Sequence, residues 1–369
     1  DDGAHGAYLG RRTFGSLDSL RCLSIVAVLW HHSSDVRHPV LLDRGFLGVD
    51  MFFAISGYLI VTLLLRERDR HGRISLRDFY ARRTLRIFPL YYALLGLLAA
   101  YFATRGSGRP EAGAFFAALP YYLAYLSNWI TGHAAGLAVT WSLAAEEQFY
   151  LVWPLCEKWL RGARIWLVLL GVLLVNQVAN FGGAYGLCGP WFAERRAELS
   201  ILQTTFTPIL LGVVLAHLLH ERRSFGPVRA VLGGRWASPL LLAGVVALAS
   251  VPSADLGGVQ RLAIQVAMTA LVGACVLRED HALAPLLRLA PVRRIGVVSY
   301  GMYLLHSFLH GASERVLAGL HLHMPAGRFV ALLLLTYVAA EASFWCFERP
   351  FLRLKSRFQR SGPSAREAT

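Results

Sequence analysis

Long apolar segments recur along the whole chain, and they constrain the fold more than any other feature of the sequence. There are eleven, at 17–35, 46–65, 88–103, 114–130, 142–160, 165–181, 201–219, 237–252, 260–277, 297–311 and 327–347. A run of about 20 apolar residues is long enough to cross a bilayer. Only 16% of the 369 residues are charged, whereas about 25% is usual in soluble domains. The sequence therefore predicts an all-α, polytopic membrane helix bundle surrounded by lipid.

Basic stretches between the apolar segments predict the topology, because arginine and lysine accumulate on the cytoplasmic side. Stretches of this kind lie at 11–15, 66–86, 157–164, 221–236, 287–296 and 349–360. Spans between two cytoplasmic stretches must come in even numbers, so one half of 114–160 is expected to re-enter or to lie in the interface. We predict about ten transmembrane helices plus that one segment, with both termini cytoplasmic and the protein in the inner (cytoplasmic) membrane.

Charge and cysteine usage exclude several classes of function. The net charge of +14 comes almost entirely from arginines at the ends of apolar segments, which is unlike a nucleic-acid-binding surface. The five cysteines have no metal-ligand spacing, so no metal site is expected. We expect a cytoplasmic lead at 1–16, a transmembrane domain at 17–352, and a basic, partly disordered tail at 353–369.

The first apolar segment carries one cation and two imidazoles. Arg21 and His32 are eleven residues apart, which places them on one helix face about 16 Å apart along the axis. Ionisable groups inside a span are costly and indicate functional sites. His31 points about 100° away and is the weaker candidate. The alternative is that Arg21 snorkels to the headgroups and His32 is hydrogen-bonded at the outer interface.

A cluster of arginines precedes the third apolar segment. Arg83 and Arg86 are three residues apart and share a helix face, with Arg82 adjacent. Guanidinium groups match phosphate oxygens in bidentate fashion, so the cluster predicts a pyrophosphate clamp. The alternative is a positive-inside flank of the span. Pro89 is expected near the start of the helix, where proline is tolerated.

Two adjacent glutamates, Glu146 and Glu147, lie in an apolar and aromatic setting. A carboxylate at that depth needs a partner, a proton or water. Either glutamate is close enough along a helix to hydrogen-bond Tyr150. An active-site role and a structural ion pair with an arginine of another helix both remain open. His306 in the tenth segment, with Tyr303 one turn before it, taken alone is typical of a hydrogen-bonded core histidine.

Four stretches together resemble the acyltransferase-3 family of membrane O-acyltransferases. They are SLDSLRCLSIVAVLWHH with its R-x10-H spacing, GFLGVDMFFAISGYLI, FYARRTLRIFPLYY with its RxxR element, and TWSLAAEEQFYLVWP. SYGMYLLH and FERPF also fit, so the resemblance covers residues 17–352, nearly the whole chain. Each block alone is weak, whereas their combination in this order is specific.

The resemblance implies a ten-helix bundle that transfers an acyl group, usually acetyl, from acyl-CoA to a hydroxyl group, with no permanently bound cofactor. Acceptors in the family are often envelope or exported polysaccharides and sometimes glycosylated natural products, so we expect a saccharide or glycoside. Many members carry a fused SGNH-type domain, and none is expected here because the sequence ends soon after the last apolar segment. The oligomeric state stays open, a homodimer included.

The candidate residues then divide into three expected roles. His32 is expected to be the general base or transient acyl acceptor. Glu146 and Glu147 are expected to be catalytic as well, one of them orienting a histidine or an acceptor hydroxyl. The residues expected to bind acyl-CoA are Arg21, Arg82, Arg83 and Arg86. The residues expected to contact the acceptor are His31, Asp50, Trp141, Tyr150 and His306. The rival hypothesis is a non-enzymatic transporter or flippase whose buried charges line a translocation path.

Overall fold

The structure is a computed structural model that describes residues 2–11, 13–33, 39–106, 108–130, 133–134, 136–185, 206–253, 256–319 and 325–358. In this part of the chain every regular element is helical, in agreement with the predicted all-α class. The α-helices are α1 (Asp2–Gly10), α2 (Gly15–Ser33), α3 (Val40–Asp43), α4 (Leu47–His71), α5 (Leu76–Thr104), α6 (Pro110–Leu123), α7 (Thr140–Trp159), α8 (Ala163–Tyr185), α9 (Phe206–His220), α10 (Arg222–Leu232), α11 (Ala237–Ser250), α12 (Gly258–Leu277), α13 (Ala284–Leu287), α14 (Ala290–Gly319), α15 (Pro325–Ser343) and α16 (Arg349–Leu354). Short 3₁₀ turns lie at Ser127–Trp129 and Lys355–Phe358, and a π-helical segment at Phe344–Glu348 joins α15 to α16.

Five helical stretches of the described chain are long and apolar enough to cross a bilayer. Two bent pairs, α1 with α2 and α10 with α11, raise the number to seven if each pair is one span, and α9 is a shorter apolar helix. These lengths support a multi-pass membrane protein. The count of ten spans and the cytoplasmic position of the termini stay predictions. Residues 201–205 of one apolar segment, and most of the tail, 359–369, lie outside the described residues.

Each of the eleven apolar segments overlaps a helix, but one local prediction was wrong. The basic stretch 66–86 lies mostly within helices, because α4 runs to His71 and α5 begins at Leu76. Arginine favours helices, and Ser75 starts α5 by accepting a hydrogen bond from the Asp78 main-chain nitrogen. Pro89 lies inside α5 rather than near its start, because a membrane helix can accommodate an internal proline.

The chain divides into two compact units, which we describe separately. Unit 1 comprises residues 1–63 and 160–337, and unit 2 comprises residues 64–159 and 338–369. Unit 1 therefore holds α1–α3, α8–α14 and most of α4 and α15. Unit 2 holds α5, α6, α7, α16 and the ends of α4 and α15.

In unit 1, close helix contacts depend on glycine. The largest helix–helix contact joins α2 and α14, and a Cβ added at Gly296 would collide with the Asp18 carbonyl oxygen. A reciprocal contact joins α4 and α9: Gly57 lies against the Ile209 carbonyl, and Gly212 lies against the Ala54 carbonyl. Small residues let helix backbones approach inside a membrane, where packing rather than water drives association.

Buried polar side chains in unit 1 satisfy helix ends. The Arg44 guanidinium donates to the carbonyl oxygens of Ala249 and Val251, at 3.0 and 2.8 Å, and to Ser253 Oγ at 2.7 Å. The last carbonyls of a helix have no partner within it, so Arg44 caps the end of α11.

His281 joins three parts of unit 1 in the connection between α12 and α13. Its Nε2 lies 3.0 Å from Ser16 Oγ at the start of α2, and its Nδ1 lies 3.2 Å from Ser238 Oγ at the start of α11. The side chain is 1% exposed. Burial, reinforced by the charge of Arg288, lowers the pKa of His281 below its usual value.

In unit 2, aromatic packing joins α5, α6 and the turn before α7. The Tyr91 hydroxyl donates to the Tyr122 carbonyl at 2.8 Å, and the Tyr91 and Tyr125 rings stack with centroids 4.4 Å apart. Gln148 on α7 donates to the Tyr125 carbonyl at 2.8 Å. These contacts fix α7, and with it the glutamates, relative to α5.

Candidate functional site

His32 presents an accessible basic nitrogen in the last turn of α2. Its Nδ1 lies 2.9 Å from the Val28 carbonyl oxygen. A carbonyl can only accept, so Nδ1 carries the proton and Nε2 keeps its lone pair. The His32 side chain is exposed. The helix from Gly15 to Ser33 is continuous, so His32 lies in its last turn.

Two further imidazoles surround His32, and the three form what we call the histidine cluster: His31, His32 and His306. The His306 ring packs edge-on against His32 with centroids 4.9 Å apart, and the His31 ring lies 5.1 Å from His32. His306 is fully buried, and its Nδ1 donates to the Tyr303 carbonyl at 2.6 Å. His31 donates through Nδ1 to the Asp43 carbonyl at 2.9 Å. Three predicted site residues thus meet in unit 1.

Asp50, another predicted substrate-binding residue, lies in the first turn of α4 within a buried polar group. It accepts from Arg261 Nη2 at 2.8 Å and from Gln265 Nε2 at 3.2 Å. The Arg261 guanidinium lies 5.3 Å from the centre of the Phe46 ring. The sequence analysis missed Arg261 and Gln265. Arg261 is the only charged residue of the apolar segment 260–277, and that charge was the available signal.

Arg21 lies on the same helix as His32 but makes a local ion pair. Its Nη1 is 2.9 Å from Asp18 Oδ1, one turn earlier, and the side chain is half-buried. The helix places Arg21 and His32 on one face, as their spacing predicted. The role of Arg21 in donor binding stays a prediction.

In unit 2, one arginine, two glutamates and one tyrosine form the carboxylate–arginine cluster: Arg83, Glu146, Glu147 and Tyr150. Arg83 Nε donates to Glu147 Oε1 at 3.2 Å, and Arg83 Nη2 lies 3.6 Å from Glu146 Oε2. The guanidinium lies 3.7 Å from the centre of the Tyr150 ring, and the Tyr150 hydroxyl donates to Glu146. The glutamates thus form an ion pair with an arginine of another helix, which is one of the two alternatives that the sequence left open for them. A catalytic role for the glutamates stays a prediction.

The neighbouring arginines of α5 also have protein partners. Arg82 donates to Glu67 at 3.3 Å and to the Phe358 carbonyl at 2.7 Å. Arg86 is half-buried and close enough to Glu348 for a Coulomb interaction. Trp141 is half-buried in the first turn of α7.

Apolar helices that hold ionisable side chains inside each unit define a multi-pass membrane protein with buried polar sites. The model of the acyltransferase-3 family (Acyl_transf_3, acyltransferase domain) matches residues 14–342. The chain belongs to this family.

Curated relatives support the assignment. The peptidoglycan O-acetyltransferase OatA of Listeria monocytogenes is 26% identical, over 92% of this chain and 56% of the relative. The O-acetyltransferase OatA of Staphylococcus aureus is 25% identical, over 92% of this chain and 57% of the relative. A putative O-acetyltransferase of Staphylococcus aureus strain COL is 32% identical over 57% of this chain and 36% of the relative. The chain spans about half the length of the OatA relatives, and no solved structure matches it.

Proposed function

We propose that the protein is a membrane O-acetyltransferase that moves an acetyl group from acetyl-CoA to a hydroxyl group of a carbohydrate. The observation that carries the proposal is the exposed His32 imidazole, whose Nε2 has a free lone pair, in a chain of the acyltransferase-3 family. The relatives named for O-acetylation, one of them for peptidoglycan, support a carbohydrate acceptor.

The proposed reaction uses His32 as general base. Nε2 takes the proton of the acceptor hydroxyl while the oxygen attacks the thioester carbonyl carbon. The carbon–sulfur bond then breaks, and the coenzyme A thiolate leaves and recovers that proton from His32. The Val28 carbonyl holds the ring in the required tautomer throughout. Attack by Nε2 itself, giving a transient acyl-histidine, is the alternative order of events.

His306 supports this role from the core. Its ring packs against His32 and is fixed by the hydrogen bond to the Tyr303 carbonyl. A side chain held by a buried neighbour keeps its rotamer, which catalysis requires. We propose that His306 positions His32 and that His31, on the other side of His32, contacts the acceptor.

For the donor, we propose that Arg82 and Arg86 bind phosphates of acetyl-CoA, with Arg21 contributing to donor binding. We propose that Arg83 also contributes to donor binding, although its guanidinium already pairs with two carboxylates. We propose that Glu146 and Glu147 act through Arg83, and that Tyr150 and Trp141 contribute to the acceptor site.

The test compares two adjacent histidines. Purified protein in liposomes is supplied with acetyl-labelled acetyl-CoA and a peptidoglycan disaccharide, and transfer is measured for His32→Ala and for the control His31→Ala. We expect His32→Ala to lower kcat by about 10²–10⁴ with an unchanged melting temperature. His31→Ala should leave kcat nearly unchanged and raise only the KM of the disaccharide. An active His32→Ala variant beside an inactive His31→Ala variant would overturn the assignment of the base.

A further inference from the structure

The buried polar atoms of unit 1 that have no hydrogen-bond partner among the described residues include Nε of Arg261 and Oε1 of Gln265. Both side chains belong to α12, four residues apart and therefore on one helix face. They are 7% and 0% exposed. An unpaired polar atom is costly in a segment that lies within a membrane. Water or a ligand group beside them would satisfy both atoms.

Asp50 determines which hydrogen-bonding capacity remains. Its carboxylate accepts from Arg261 Nη2 and from Gln265 Nε2. Because a carboxylate can only accept, the amide nitrogen of Gln265 must face Asp50, which fixes the orientation of the amide. One N–H donor on Arg261 and one carbonyl acceptor on Gln265 are then left over.

This remaining pair selects the chemistry of the ligand. An anion would meet the negative charge of Asp50 and the oxygen of Gln265, and a cation would meet the guanidinium of Arg261. The charges of Asp50 and Arg261 balance each other across 2.8 Å, and the nearby guanidinium of Arg44 is held by the carbonyls of Ala249 and Val251 and by Ser253. A neutral group that accepts one hydrogen bond and donates another fits both atoms, and a hydroxyl group has that capacity.

We infer that Arg261 and Gln265 bind a hydroxyl group of the carbohydrate acceptor, other than the hydroxyl that is acylated. The inference rests on the proposed O-acetyltransferase function and names a subsite for its acceptor. The Phe46 ring connects this subsite to the histidine cluster, because it lies 5.3 Å from the Arg261 guanidinium and 5.5 Å from the His31 ring. We propose that one saccharide extends along this ring from Gln265 to the histidine cluster, with different hydroxyl groups at its two ends.

The experiment removes the acceptor atom and preserves the ion pair. Gln265→Met keeps the volume of the side chain and leaves Arg261 on Asp50. Thr269→Val is the matched control, one turn further along α12, because in the described part of the chain its hydroxyl donates to the Gln265 main-chain carbonyl. We expect Gln265→Met to raise the KM of a peptidoglycan disaccharide about tenfold, the loss of one hydrogen bond. The KM of acetyl-CoA should stay constant in both variants.

A binding measurement separates this subsite from catalysis. In the His32→Ala background, the disaccharide should raise the melting temperature, and adding Gln265→Met should remove that rise. This result would support the acceptor subsite even if His32 is not the general base. Two results would overturn the inference. The first is a Gln265→Met variant that is less stable but keeps its KM for the disaccharide, which would mean that only water occupies the site. The second is an equal increase of that KM in Thr269→Val.

Discussion

The carboxylate–arginine cluster of unit 2 predicts a strong and specific coupling between Arg83 and Glu147. The guanidinium is 3.2 Å from Glu147 and 3.6 Å from Glu146. At an effective dielectric constant of about 20, each attraction is worth about 5 kcal/mol. Desolvation of the three charged groups costs several kcal/mol per ion and cancels most of this gain. The cluster therefore adds little net stability, while the loss of its cation is expensive.

The perturbation is Arg83→Met, which leaves two carboxylates without their cation. Breaking a buried pair in this way costs about 3–5 kcal/mol. Adding Glu147→Gln removes one of the two carboxylates, and the other keeps its hydrogen bond from Tyr150. We therefore expect the double variant to be more stable than Arg83→Met alone, by about 1.5 kcal/mol or more.

Unfolding in mixed detergent micelles, followed by tryptophan fluorescence, measures all four proteins of the double-mutant cycle. The exposed pair Arg278–Asp280, at 2.8 Å, is the control, and solvent screening should leave it without measurable coupling. Additive effects of Arg83→Met and Glu147→Gln, within about 0.5 kcal/mol, would refute the reasoning. A stable Arg83→Met variant with a raised KM for acetyl-CoA would instead support the phosphate clamp.

Three further predictions follow from single features of the structure. Gly296→Ala should destabilise the protein by about 1–3 kcal/mol because the new Cβ meets the Asp18 backbone. The control Gly311→Ala, in open space on the same helix, should stabilise the protein by about 0.5–1 kcal/mol. Equal shifts in the melting temperatures of the two variants would contradict this prediction. The contribution of His281 to the free energy of unfolding should be constant above about pH 6.5 and fall below it, because the unfolded chain then protonates at His281 more readily than the folded one. His281→Asn should flatten this part of the pH profile of stability. An unchanged slope would exclude His281 as its source. Arg86→Ala should raise the KM of acetyl-CoA and weaken its dependence on salt, with kcat unchanged; a constant KM would remove Arg86 from the donor site.

Much of the secondary structure could be predicted because hydropathy dominates a chain of this composition. Every apolar segment overlaps a helix, since a backbone in lipid must satisfy its hydrogen bonds within the segment. The error came from a rule that holds for helices in water. Pro89 indicated a helix start, yet it lies inside α5.

The candidate site was predictable where its residues are neighbours in sequence. The spacing of Arg21 and His32 and the hydrogen bond between Tyr150 and Glu146 follow from helix periodicity. The partner of Asp50 was not predictable in this way. Arg261 is 211 positions away, and local periodicity does not determine which helices become neighbours. Packing of His306 against His32 is likewise a tertiary contact.

The reciprocal glycine contact between α4 and α9 also sets the depth of Asp50. A shift of α4 by one helical turn would bring the side chain of another residue against the Ile209 carbonyl in place of Gly57. The two helices can approach this closely because neither Gly57 nor Gly212 has a Cβ. Asp50 lies about two turns before Gly57 on the same helix. The steric fit of each glycine against the opposite backbone therefore determines where the carboxylate lies along α9.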